Sequence, residues 1–120
     1  MKFRTSVLSM AVVLLIGSTA VQATGYRWLD TSPLRHFTDA DWDMMRSNAR
    51  AALDSGADGA QADWKNDSTG ASGYIKVISS YEEEGRKCRK AEFSNSARGM
   101  TGGGIFRLCK ADDGTWKLSP

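Results

Sequence analysis

Residues 38–56 read TDADWDMMRSNARAALDSG, and this stretch decides the fold. Thr38 stands where a helix N-cap belongs, with Asp41 three residues on to complete a capping-box pair. Asp39, Asp41 and Asp43 suit the positive start of a helix. Phe37 before the cap and Trp42 at the fourth helical position have the spacing of a hydrophobic staple. Trp42, Met45, Ala49, Ala52 and Leu53 recur at helical period, which leaves Asp43, Arg46, Ser47 and Arg50 facing away. Gly56 suits the C-terminal cap. One amphipathic helix follows.

Downstream the period shifts towards two. Ala60–Asn66 (AQADWKN) and Gly73–Ser79 (GYIKVIS) read as two strands around the turn-rich DSTGAS at 67–72. Arg86–Phe93 and Gly104–Lys110 read as the next two, separated by a Ser/Asn/Gly loop at 94–103. Asp112-Asp113-Gly114 marks a tight turn into a short last strand, Thr115–Leu118. Strands joined in order by short turns favour an antiparallel meander. The expected fold is therefore α+β, with one N-terminal helix packed on a sheet of four to five strands. One conflict stands: Cys88 shares parity with Lys90 and Glu92, while Ala91 and Phe93 lie on the other face. Either a bulge intervenes or the cysteine sits on a partly buried face.

Upstream, the chain opens like a secretory leader. Lys2 and Arg4 precede the apolar VLSMAVVLLIG at 7–17, and the small residues of STAVQA at 18–23 lead to a cut between Ala23 and Thr24. The apolar run is shorter than the roughly 20 residues a spanning helix needs, so no transmembrane anchor is expected. The organisation expected is a leader at 1–23, an extended lead-in at 24–37, and one domain at 38–120. Removing Lys2 and Arg4 brings the 16 basic residues to 14, equal to the 14 acids. A formally neutral mature chain gives no support to nucleic-acid binding.

The two cysteines, Cys88 and Cys109, are an even number in a chain bound for an oxidising compartment, and a disulfide is expected. Closing this loop stabilises a small domain by about 3 kcal/mol in the chain-entropy model.

Trp64-x-Asn66 with the following Ser/Gly turn and Gly73, then Cys88-Arg89, then the Gly-rich approach to Cys109, then Asp113-Gly114-Thr115-Trp116 form an ordered series over 64–116. In order and spacing it resembles the bacterial outer-membrane surface antigen domain, the family of the seventeen-kilodalton rickettsial antigen. The resemblance implies a cell-envelope role and transfers no catalytic residues. Members are commonly lipoproteins; this chain has no cysteine near the cut, so no lipid anchor is expected.

No constellation points to catalysis, a metal or a cofactor. His36 has no nucleophile or second histidine beside it in sequence. Asp39-x-Asp41-x-Asp43 lacks the glycine and the twelfth-position glutamate of a calcium loop. Glu82–Glu84 followed by Arg86, Lys87, Arg89 and Lys90 reads as a solvated loop running into an edge strand. Arg89 either pairs with an acid beneath the sheet or faces a partner. Trp64 and Trp116 read as packing residues. The chain is thus expected to be a non-enzymatic interaction or structural protein with an envelope protein partner. The periplasm is the expected location, ahead of the outer membrane or the exterior. The rival expectation is an inhibitor of a cell-wall hydrolase such as lysozyme, inserting loop 94–103 with its Arg98 and Met100.

Overall fold

The computed structural model describes residues 32–119. The leader, its cut at Ala23/Thr24 and the lead-in as far as Thr31 lie outside the described residues. Ser32 caps a short 3-10 helix, Pro33–His36, by accepting a hydrogen bond from the Leu34 N–H. The end of the lead-in is therefore a helical turn and not extended chain, because Pro33 fixes φ at a helical value and has no N–H to satisfy. The helix α1, Asp39–Ser55, follows. Five strands complete the domain: β1 Gln61–Lys65, β2 Ser72–Glu83, β3 Arg86–Ala97, β4 Met100–Lys110 and β5 Trp116–Ser119. They form one antiparallel meander in sequence order. No helix among the described residues is long and apolar enough to cross a membrane.

Helix α1 starts as its sequence dictates. The Thr38 hydroxyl accepts from the Asp41 N–H while the Asp41 carboxylate accepts from the Thr38 N–H. Phe37 and Trp42 meet edge to face at 5.4 Å, closing the staple. Ala52 and Leu53 are buried with Ile75, Val77, Ala91 and Leu108, the main core; Trp64, Ala71 and Ala97 form a second cluster near the helix start. Gly56 does end the helix, but with φ −69° and not in the left-handed conformation. A side chain there would put Cβ 2.5 Å from the Ala52 carbonyl oxygen, so close approach is what selects glycine.

Two readings of the strands need correction. The stretch 94–103 is not a loop: β3 runs to Ala97 and β4 begins at Met100. Between them lies a two-residue turn in which Arg98 and Gly99 both have positive φ, as Glu84 and Gly85 do between β2 and β3. Two consecutive left-handed residues match the twist of a tight hairpin, and a non-glycine in the first position concealed both turns. The charged stretch 82–90 accordingly does not enter an edge strand, since β3 is the middle strand of the five.

The parity conflict also resolves. The register slips in β2 between Val77 and Ser79, where Ile78 is the extra residue, while β3 runs unbroken. Arg89, Ala91 and Phe93 therefore face the helix and Cys88 faces outward. Cys88 and Cys109 stand directly opposite on β3 and β4, joined by the expected disulfide. Cys88 is buried and Cys109 half-buried.

Candidate functional site

The residues of the ordered series gather at the joints between α1 and the sheet. At the N-terminal joint Asp41 is fully buried. Its Oδ1 accepts from Asn66 Nδ2 at 2.8 Å and from Thr69 Oγ1 at 2.7 Å, while Oδ2 accepts from the Thr38 N–H at 2.9 Å. Burial pushes the Asp41 pKa up, but the donors from Thr38, Thr69 and Asn66 outweigh it and hold the carboxyl below its ordinary value. Asn66 also organises the β1–β2 turn: its side-chain oxygen accepts from the Ser68 N–H and its carbonyl from the Gly70 N–H. Two residues earlier, Trp64 is buried edge-on to Phe37 at 5.4 Å. Gly73 lies opposite Trp64; a Cβ there would stand 2.4 Å from the Ser94 carbonyl oxygen and 2.7 Å from the Trp64 indole nitrogen.

At the C-terminal joint Arg89 is 8% exposed and reaches back from β3 into the end of α1. Nη1 donates to the carbonyls of Ala52 at 3.2 Å and Leu53 at 2.9 Å; Nη2 donates to the Gly56 carbonyl and to Asp58 Oδ1; Nε donates to Ser80 Oγ at 3.0 Å. The last turn of α1 has no basic residue of its own. Arg89 supplies that charge from the sheet, satisfying orphan carbonyls and complementing the negative helix end. Asp58, hydrogen-bonded by Ser80 and then Arg89, titrates below its ordinary value. Arg89 thus pairs with an acid, Asp58, at the helix end.

A third joint runs from the end of the series. Asp113 accepts from the N–H and hydroxyl of Thr115, and Gly114 takes φ +84°, which turns the chain into β5. Trp116 then donates its indole N–H to Asp54 Oδ1 at 2.8 Å, and Lys110 Nζ lies 3.3 Å from the same oxygen. These contacts, Trp116 first and Lys110 next, lower the Asp54 pKa. A cleft of about 380 Å³ opens beside this joint, lined among others by Leu53, Asp54, Tyr81, Lys87 and Trp116.

Other candidates stay apart. Arg98 is exposed at the β3–β4 turn and Met100 half-buried at the start of β4, far along the hairpin from the disulfide. His36 ends the 3-10 helix. Asp39 and Asp43 are not drawn into the Asp41 network, whose oxygens are spent on protein donors. The carboxylate of Glu83 lies within 4.8 Å of both cysteine sulfurs, but each sulfur is bonded to the other and offers no thiolate. The sheet face away from α1 carries Tyr74, whose hydroxyl donates to Glu92 Oε1 at 2.6 Å, together with Lys76, Lys90 and Ile105. Sequence reasoning passed over Asp58, Ser80 and Thr69, which complete the joints; only the acid's distance from the helix end hinted at Asp58.

A short helix clasped to an antiparallel meander at three polar joints, with one disulfide across the middle, defines a small disulfide-closed α+β domain. The family model described as 17 kDa outer membrane surface antigen matches residues 51–117, more than half of the chain, and the chain belongs to that family. It is a cell-envelope protein of the surface-antigen type. No curated protein and no solved structure matches it.

Proposed function

We propose that this chain is a non-enzymatic envelope protein that acts by binding another envelope protein, after export and loss of residues 1–23, in the periplasm. The observation that carries the reading is where the signature residues go. Asn66, Arg89 and Trp116 are spent on holding α1 to the sheet, Gly73 on packing β1 against β2 and β3, and Asp113 on the turn into β5, while the buried charges Asp41 and Arg89 each have protein partners. An active site would instead leave its polar groups aimed into a cleft without protein partners. What remains for recognition is surface, chiefly the outward sheet face with Tyr74, Lys76, Lys90 and Ile105.

The test is photo-crosslinking in intact cells from a probe at Lys76 or Lys90, followed by fractionation. A discrete envelope adduct is expected with a mature chain starting at Thr24. A full-length cytosolic chain starting at Met1, with no adduct, would overturn it. The hydrolase-inhibitor reading now rests on a narrow hairpin tip, Arg98-Gly99, in place of a broad loop. Undiminished lysozyme action on cell walls at excess protein removes it.

A further inference from the structure

The meander leaves one strand half-covered. β4 spans Met100–Lys110, but β5 pairs only with Arg107–Lys110. Among the described residues, the stretch MTGGGIF at 100–106 has β3 on one side and no strand on the other. The Ala111 N–H donates to the Thr115 carbonyl, and Cys109 and Arg107 continue that alignment opposite Lys117 and Ser119. By antiparallel alternation, the N–H and C=O of Thr101, Gly103 and Ile105 also point to this open edge. Proteins usually guard such edges with charge, proline or a bulge. The opposite edge, β1, is guarded by Asp63 and Lys65. The 100–106 edge has no charge and no proline, and it ends on Ile105 and Phe106, 54% and 42% exposed.

From this edge we infer that two copies of the chain join through residues 100–106 as antiparallel strands, making one continuous sheet across a two-fold axis at Gly103. The stretch is self-complementary about that residue. Met100 falls opposite Phe106 of the second copy, Thr101 opposite Ile105, Gly102 opposite Gly104 and Gly103 opposite itself. Thr101, Gly103 and Ile105 of each copy then exchange every edge N–H and C=O with the other, leaving none unpaired. Met100 meets Phe106 on one face and the Thr101 side chain meets Ile105 on the other, while the three glycines leave the centre of the contact free of side chains. A two-fold contact closes on itself, so it ends at a dimer and does not propagate into fibres. Among the described residues the stretch runs from the Arg98-Gly99 turn to Arg107, where pairing with Ser119 of β5 begins. The proposed envelope partner would meet the outward face, which shares Ile105 with this edge, whereas Tyr74, Lys76 and Lys90 lie on β2 and β3 away from it.

The experiment is sedimentation velocity on the purified, oxidised mature chain over a concentration series, with amide hydrogen exchange. A concentration-dependent dimer is expected, with slow exchange at Thr101, Gly103 and Ile105. Ile105→Lys puts a charge on the exposed edge. Thr101→Pro removes an edge donor that β3 does not use. Each should weaken dimerisation by at least about tenfold and speed exchange at Gly103, while the circular dichroism stays that of the folded chain. Three results would overturn the inference: a monomer throughout with fast edge amides, a monomer whose edge amides are slow because the chain's own residues 24–31 cover them, or a dimer unaffected by both substitutions.

Discussion

Asp41 concentrates the logic of the joints in one side chain. A buried carboxylate is costly unless its lone pairs are met, and here the Thr38 N–H, Asn66 and Thr69 meet them. Asp41→Ala removes the capping-box acceptor and leaves the Asn66 and Thr69 donors without it. A loss of about 2–3 kcal/mol is expected in urea unfolding. The pH dependence follows in sign. The native pKa values of Asp41, Asp54, Asp58 and Asp113 lie below their ordinary values. Their stabilisation is thus complete above the ordinary aspartate range and is lost as the pH falls through it towards the lower native values. Thermal melts should hold steady near neutrality and drop in acid, and Asp41→Asn should flatten that acid limb. The capping role of Asp41 was legible in the sequence because a capping box is local. Its tie to Thr69 was not, since only the fold brings residues 28 positions apart together.

Among the elements, α1 was the easiest to read and the β3–β4 hairpin the hardest. The helix announced itself through cap, staple and period, all local signals. The hairpin joins two strands of 12 and 11 residues, but Ser94, Asn95 and Ser96 on one side and three glycines on the other looked like a loop. Those residues are strand because neighbours complete them. Gly102 makes room for Pro33, which would stand 3.0 Å from a Cβ, and Ser96 and Thr101 share a cross-strand hydrogen bond. The β2 bulge at Ile78 was hidden for the same reason, since nothing in VISS signals that one residue will be skipped. Gly73 tests the packing of β1 on β2 and β3. Gly73→Ala forces Cβ onto the Ser94 carbonyl oxygen, and a loss of roughly 2–3 kcal/mol is expected in chemical denaturation.

For the whole molecule, the disulfide and Arg89 share the task of keeping a small core closed. Cys88 and Cys109 bridge the two central hairpin strands, and reduction should lower the melting temperature by roughly 10–20 °C in calorimetry. No free thiol should be found in exported protein without a reductant. The surface-antigen series thereby becomes a description of how the domain is clasped, and the proposed recognition falls to its outward face and open edge. Arg89 tests that most directly, because it is the one signature residue that joins helix end, β2 and β3 at once. Urea unfolding of the oxidised mature chain should show Arg89→Lys less stable by about 2–3 kcal/mol, since an ammonium cannot reproduce the guanidinium fork across four helix-end acceptors and Ser80. An unfolding midpoint equal to that of the unaltered chain, together with loss of the envelope crosslink, would contradict the account and place Arg89 in the binding surface.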